Sequence, residues 1–333
     1  MANVLVLGAG TWGAVIANLL IKNGHNVTCW ARNENLINSL SKMHIHNKLP
    51  GIVFDARNNF TTDFDNSFID KDVIVYAIPS NAFREVASRS MRYVNEKQYL
   101  ISLAKGIEDK TLFTMSEVLE DELKINNIKN DKVVVLSGPT HAEEVGKDFP
   151  SMIVSASKNI DAAKYVQDIF MNENFRVYTN TDIKGVEICA AFKNIIALAS
   201  GILAGLGFGD NIKAAVITRG LTEMIRVGDA IGCNKDTFYG LAGVGDMIVT
   251  ATSTNSRNYN CGRLLGEGMK TKDALEKIGM VVEGINFVPK AIEIRDKYNL
   301  DLPITTGVYE IVFNNKNAKD ITSLLMTRSK KAE

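Results

Sequence analysis

Lys193 lies between Ile188-Cys189-Ala190-Ala191-Phe192 and Ile195-Ile196-Ala197-Leu198-Ala199, on a segment with almost no other polar side chain. An ammonium there is either buried or snorkels to the surface on its flexible stem. Burial disfavours the charge and suits a lysine that carries a proton to or from a reacting oxygen. Such a lysine needs a carboxylate partner or a functional cavity. The candidate partner is Asp246 in Gly243-Val244-Gly245-Asp246-Met247-Ile248-Val249-Thr250. Asp246 and Thr250 are four apart and share one face if a helix starts there. A helix-capping Asp246 is the plainer alternative.

A second cluster suits an anion. Ser253-Thr254-Asn255-Ser256-Arg257-Asn258 opens a helical pattern through Gly262-Arg263-Leu264-Leu265. Ser256 as cap, the unsatisfied N–H groups of a first helical turn and the Arg257 guanidinium together form a phosphate cradle. Met280-Val281-Val282-Glu283-Gly284 places one acid in an apolar turn, where it can accept bonds from a ribose or carboxamide, or cap a helix. Lys105 directly follows an apolar strand pattern and precedes Gly106; its ammonium points into a crevice or is an exposed structural charge. Ser137-Gly138-Pro139-Thr140 reads as a helix start with proline in its first turn, an anion or carbonyl-oxygen site or a plain capping turn. Pro79-Ser80 either lines the nicotinamide side of a crevice or is simply a helix start with its proline.

Gly8-Ala9-Gly10-Thr11-Trp12-Gly13 stands between the apolar run Asn3–Leu7 and the helical pattern Ala14–Ile21. Strand, G-x-G-x-x-G, helix is the order of a dinucleotide fingerprint. Gly8 permits the turn, Gly10 lets a pyrophosphate approach the backbone, and Gly13 lets helix pack on strand. The helix N-terminus offers N–H groups and partial positive charge. After the second strand, His25–Trp30, a site selective for NAD would carry Asp or Glu. This chain has Arg32 followed by Asn33, with Glu34 slightly farther on. The arginine suits a 2′-phosphate and favours NADP, with NAD left open.

These groups need a scaffold. Apolar strand patterns at Val73–Ile78, Tyr99–Ala104 and Val133–Leu136 alternate with helical ones at Asn33–Met43, Asn81–Met91, Thr111–Leu123 and Ala142–Gly146. Met152–Ser155 and Phe175–Tyr178 belong at the far edge of the sheet. The alternation predicts a doubly wound, mostly parallel α/β domain of Rossmann type over residues 1–181. From 182 to 333 strand patterns vanish, and Ile183–Leu206, Asn211–Ile231, Ala274–Ile278, Gly284–Tyr298, Thr306–Phe313 and Ile321–Met326 predict an all-α domain.

Composition narrows the class. The 333 residues are 46% hydrophobic, enough for two cores. Lys plus Arg and Asp plus Glu are 38 each, so no charge excess calls for nucleic acid or an anionic membrane. Cys29, Cys189, Cys233 and Cys261 form no C-x-x-C pair and read as reduced thiols of a cytoplasmic protein. The histidines show no metal spacing, and His44 and His46 read as solvated loop residues. The first strand pattern leaves no room for a signal peptide. Ile188–Phe208 contains Lys193 and Asn194 and reads as a buried helix rather than a membrane span.

Taken together, Gly8–Gly13, Ala104-Lys105-Gly106, Ser137-Gly138-Pro139, Ala191-Phe192-Lys193-Asn194, Gly243-Val244-Gly245-Asp246 with Thr250, Ser256-Arg257-Asn258 and Val282-Glu283-Gly284 resemble the bacterial NAD(P)-dependent glycerol-3-phosphate dehydrogenase family over nearly the whole chain. The resemblance implies interconversion of dihydroxyacetone phosphate and sn-glycerol 3-phosphate for phospholipid synthesis, in a cytoplasmic homodimer. It implies that Lys193 exchanges the proton at the C2 oxygen, that Lys105 and Asp246 flank the substrate, and that Asn194 and Thr250 support them. Gly138, Thr140, Ser256, Arg257 and Asn258 would hold substrate, chiefly at its phosphate. Thr11, Trp12, Arg32, Lys105, Ala142, Arg257, Val281 and Glu283 would touch NADP or NAD. No metal is implied. Two other expectations stay open: a related two-domain dehydrogenase of hydroxyacids or ketoacids, and a non-catalytic nicotinamide-nucleotide sensor.

Overall fold

The computed structural model describes residues 1–330. The chain divides into two compact units, one ending at Glu187 and the other beginning at Ile188. In chain order the first contains β1 (Asn3–Leu7), α1 (Thr11–Lys22), β2 (Asn26–Trp30), α2 (Glu34–Met43), β3 (Asn59–Thr61), β4 (Val73–Tyr76), α3 (Ser80–Ser90), β5 (Tyr99–Ser102), α4 (Met115–Ile125), β6 (Val133–Ser137), α5 (Ala142–Val145), β7 (Ser151–Ala156), α6 (Ile160–Phe170) and β8 (Phe175–Asn180). Then α7 (Ile183–Gly205) runs across the division.

One eight-stranded sheet has the order β3-β2-β1-β4-β5-β6-β7-β8. All neighbours pair in parallel except β6 and β7. The central strands are apolar at consecutive positions because both faces are covered; Val4, Leu5, Val6 and Leu7 are each 0% exposed. Val4 pairs with Val27 on one side and Val73 on the other. The strand order therefore reverses around β1, which makes its carboxyl end the crevice where open α/β sheets take ligands.

Several details depart from the sequence expectations. The short strand β3 was not foreseen: three residues with Asn and Thr carry little pattern. Helix α6 was not foreseen either, although Asn159 caps it and Ala162, Ala163, Val166, Ile169 and Phe170 form its buried face. The helix expected from Thr111 begins at Met115, because Thr114 and Glu117 close a reciprocal capping box there. Pro139 does not start a helix: α5 begins at Ala142 behind His141 and is four residues long. The Ser137–Thr140 segment is thus a turn leaving β6, not a helix N-terminus. His46 is buried rather than solvated; it is 4% exposed, and its Nδ1 accepts from the Lys48 amide at 3.1 Å.

The second unit is helical: the rest of α7, then α8 (Asp210–Ile231), α9 (Lys235–Tyr239), a π-helical turn (Leu241–Gly245), α10 (Asp246–Thr252), α11 (Arg257–Gly266), α12 (Thr271–Ile278), α13 (Glu283–Lys297), α14 (Pro303–Val312) and α15 (Ala318–Met326). Helix α7 has the length and apolarity to cross a membrane, yet 89% of its most apolar window is buried within the protein. It meets α11 through four glycines. A Cβ on Gly201 would stand 2.1 Å from the Tyr259 carbonyl oxygen, and one on Gly262 2.2 Å from that of Leu198. Gly205 and Gly266 repeat the relationship one turn on, each with 2.1 Å to a carbonyl of the opposite helix. The two G-x-x-x-G steps bring the backbones into direct contact, which fixes α11 against the C-terminal turns of α7.

Candidate active site

In the first unit the glycine motif has the geometry its spacing predicts. Gly8 takes φ +112°, a conformation side chains rarely adopt, and a Cβ there would lie 2.4 Å from the Ala77 carbonyl oxygen. A Cβ on Gly13 would lie 1.9 Å from the Gly8 carbonyl oxygen. Gly10 differs: a Cβ there meets nothing within 4 Å. It precedes α1 as a cap with no side-chain hydrogen bond, so the first-turn N–H groups lack a side-chain acceptor at the cap and the backbone at Gly10 stands uncrowded beside them. That cradle fits the pyrophosphate of a dinucleotide.

Arg32 stands two residues beyond β2, and its exposed guanidinium is 3.6 Å from Glu85. Glu34 begins α2, where Asn33 caps the helix by accepting from Leu36. Lys105 follows β5, and its Nζ donates to the Gly138 carbonyl at 3.4 Å, which joins the ends of β5 and β6. Thr140 donates to the same carbonyl at 3.3 Å. Gly138 is packed onto β7, with the Ile153 Cα 2.9 Å from where a Cβ would sit. Ala142 is buried at the start of α5. Three of the expected substrate contacts in this unit therefore gather at one carbonyl.

In the second unit Lys193 is buried, its side chain 6% exposed, and it donates to Asp246 Oδ1, whose side chain is 1% exposed. It also donates to Thr250 Oγ1 at 2.9 Å. The glycine-rich π turn explains the placement. Gly245 N–H donates to the Gly240 carbonyl at 3.2 Å, and α10 starts immediately afterwards at Asp246. Asp246 and Thr250 then project from one face, and the Thr250 hydroxyl also donates to the Asp246 carbonyl at 2.6 Å. Phe192, next to the lysine, packs edge-on against Phe287 at 4.9 Å. Asn194 points to another neighbour: its Oδ1 accepts from Asn258 Nδ2 at 2.9 Å.

Ser256 caps α11 by accepting from the Tyr259 amide at 3.2 Å. Arg257 is exposed at the first position of that ten-residue helix and donates to the Val281 carbonyl at 2.9 Å, one of five N–H groups on its guanidinium. Val281 is 39% exposed, and Glu283 begins α13. Residue-by-residue reading missed how these groups reach α7. The signal was present in Gly201-Ile202-Leu203-Ala204-Gly205 and Gly262-Arg263-Leu264-Leu265-Gly266.

Comparison with known proteins gives a consistent answer. The family model for the N-terminus of NAD-dependent glycerol-3-phosphate dehydrogenase matches residues 3–163, and that for its C-terminus matches residues 182–323. Glycerol-3-phosphate dehydrogenase [NAD(P)+] 2 of Lactobacillus delbrueckii subsp. bulgaricus is 48% identical over 100% of this chain and 99% of that protein. The Bacillus subtilis glycerol-3-phosphate dehydrogenase [NAD(P)+] is 46% identical over 100% of this chain and 96% of its own length. The crystal structure of glycerol-3-phosphate dehydrogenase from Coxiella burnetii superposes with a TM-score of 0.92 at 33% identity, covering 98% of this chain and 99% of that one.

Proposed function

The chain belongs to the NAD-dependent glycerol-3-phosphate dehydrogenase family, and from that premise we infer that it reduces dihydroxyacetone phosphate to sn-glycerol 3-phosphate, reversibly, with NAD(P)H. The observation that carries this reading is the buried Lys193, held by Asp246 and Thr250 in the helical unit. A nucleotide sensor has no use for a desolvated lysine clamped in this way.

The bound nicotinamide supplies hydride chemistry at the carbonyl carbon. The protein's task is to receive the charge that grows on the ketone oxygen. Lys193 gives a proton from Nζ to that C2 oxygen, which becomes the hydroxyl; in the oxidative direction the neutral amine takes the proton back. Asp246 and Thr250 orient the ammonium and offset part of its desolvation. We assign Arg257, with Asn258 and the Ser256-capped turn, to the substrate phosphate, whose binding energy orients the carbonyl. We assign Gly138, Thr140 and Lys105 to the substrate as well. Thr11, Trp12, Arg32, Lys105, Ala142, Arg257, Val281 and Glu283 are assigned to the cofactor, with Gly8, Gly10 and Gly13 shaping its phosphate loop. The enzyme would work in the cytoplasm as a homodimer and feed glycerophospholipid synthesis.

Steady-state reduction of dihydroxyacetone phosphate, measured with NADPH and NADH side by side, tests the reading. Turnover with either cofactor supports it, and the change in the ratio of the two kcat/KM values on Arg32→Ala reports what Arg32 contributes. No oxidation of either cofactor would overturn it.

A further inference from the structure

Lys193 and Asn194 are consecutive on α7, so they address different neighbours. Lys193 reaches α10, whereas Asn194 enters a one-way chain of hydrogen bonds. Its Nδ2 donates to the Ala190 carbonyl of its own helix at 3.2 Å, which turns its Oδ1 outward. That oxygen accepts from Asn258 Nδ2 at 2.9 Å. The Asn258 Oδ1 in turn accepts from the Gly284 amide at 2.8 Å. Gly284 is the second residue of α13, a helix with no side-chain cap at Val282, so the chain satisfies an N–H that the helix itself cannot. Asn194 and Asn258 are 5% and 8% exposed.

Gly284 has no room for a side chain. A Cβ there would lie 2.8 Å from the Asn194 carbonyl oxygen, 2.8 Å from Asn258 Oδ1 and 2.7 Å from Leu198 Cδ1. The first of these belongs to the backbone of a buried helix and cannot move aside cheaply. Meanwhile Arg257, the neighbour of Asn258, grips the Val281 carbonyl. The first two residues of α11 therefore hold the 281–284 segment at both ends.

We propose that Gly284 and Asn194 are positioning residues: through Asn258 they set the 281–284 segment and the phosphate-binding start of α11 in register with Lys193. The chain uses one N–H of the Asn258 carboxamide and fixes the direction of the other. This inference rests on the assignment of Lys193 and Arg257 to the reaction; it adds Gly284, which touches no reacting atom, and gives the supporting part expected of Asn194 a physical form.

The test is a double-mutant cycle in the full-length enzyme with Gly284→Ala and Asn194→Ala, read as kcat and KM for dihydroxyacetone phosphate and as the dissociation constant of NADPH from its fluorescence. Each single variant is expected to raise KM roughly tenfold or more, with a smaller change in kcat. The double variant should cost no more than the worse single, because both break one chain. Singles within twofold of wild type, or a double equal to the product of the singles, would overturn the proposal. If Gly284→Ala does not fold, the cycle of Asn194→Ala with Asn258→Ala is judged by the same criteria. Lys193→Ala separates the two levels. A wild type that turns over while Lys193→Ala does not, with the cycle silent, sinks this inference alone; a wild type with no activity sinks the underlying reading.

Discussion

Lys193 Nζ donates to Asp246 Oδ1, and the two side chains are 6% and 1% exposed. An ammonium and a carboxylate so far from water depend on each other. Removing one charge leaves the other buried and uncompensated, which typically costs 3–5 kcal/mol. Asp246→Asn is therefore expected to lower the melting temperature and to cut kcat about 100-fold, the range for a misplaced proton donor. Thermal melts and steady-state kinetics check both. A variant with wild-type kcat would show that the carboxylate has no part in the chemistry.

Arg257 is exposed, with one N–H spent on the Val281 carbonyl. Its remaining donors suit a phosphate dianion. Arg257→Ala should raise KM for dihydroxyacetone phosphate by about 10- to 100-fold, the loss of roughly 1.5–3 kcal/mol of charge-assisted hydrogen bonding. It should leave the melting temperature nearly unchanged. An unaltered KM in initial-rate assays would remove the phosphate from this site.

Gly10 and Gly13 separate binding from folding. A Cβ on Gly10 meets nothing within 4 Å, and its φ of −63° and ψ of 176° suit any residue. Gly10→Ala should melt like wild type and bind NADPH at least tenfold more weakly, because the methyl occupies the approach to the α1 N-terminus. Gly13→Ala drives a methyl onto the Gly8 carbonyl oxygen, 1.9 Å away, and should destabilise by about 1–3 kcal/mol, as overpacking does. Melting curves and fluorescence titration decide. Equal stability of the two variants would contradict the packing account.

Glu223 on α8 caps α14: it accepts from Ile304 N at 2.5 Å and from Thr305 N at 3.1 Å. Burial pushes its carboxyl up to about 7 against an ordinary 4.5, despite these bonds. The folded protein thus takes up a proton between pH 4.5 and 7 that the unfolded chain does not, and the contribution to stability falls as pH rises through that window. Glu223→Gln keeps an acceptor and cannot ionise. Its stability relative to wild type should grow from pH 5 to pH 8, by on the order of 1–3 kcal/mol. A pH-independent difference in denaturant melts would show that the carboxyl does not titrate in this range.

How much of this was legible in the sequence varied with the range of the interaction. The glycine motif, the buried strands and the pairing of Asp246 with Thr250 follow from local spacing, and the structure shows them as expected. Lys193 was visible because a charge in an apolar helix demands explanation, and Asp246 because it was the acid in a glycine-rich apolar turn. What stayed hidden depends on the approach of distant segments. The α7–α11 contact needs Gly201 to meet Tyr259 and Gly262 to meet Leu198, 58 and 64 positions apart, and neither glycine alone announces a partner. Pro139 misled because proline marks turns as readily as helix starts. His46 misled because a polar neighbourhood in sequence does not prevent burial in space.

The most direct test of the central claim is single-turnover and steady-state reduction of dihydroxyacetone phosphate by Lys193→Ala, with NADPH affinity measured in parallel. The account predicts a fall in kcat of about 1,000-fold or more, within the reach of losing a general acid and its positive charge, and NADPH affinity within about twofold of wild type. Turnover equal to wild type would contradict it.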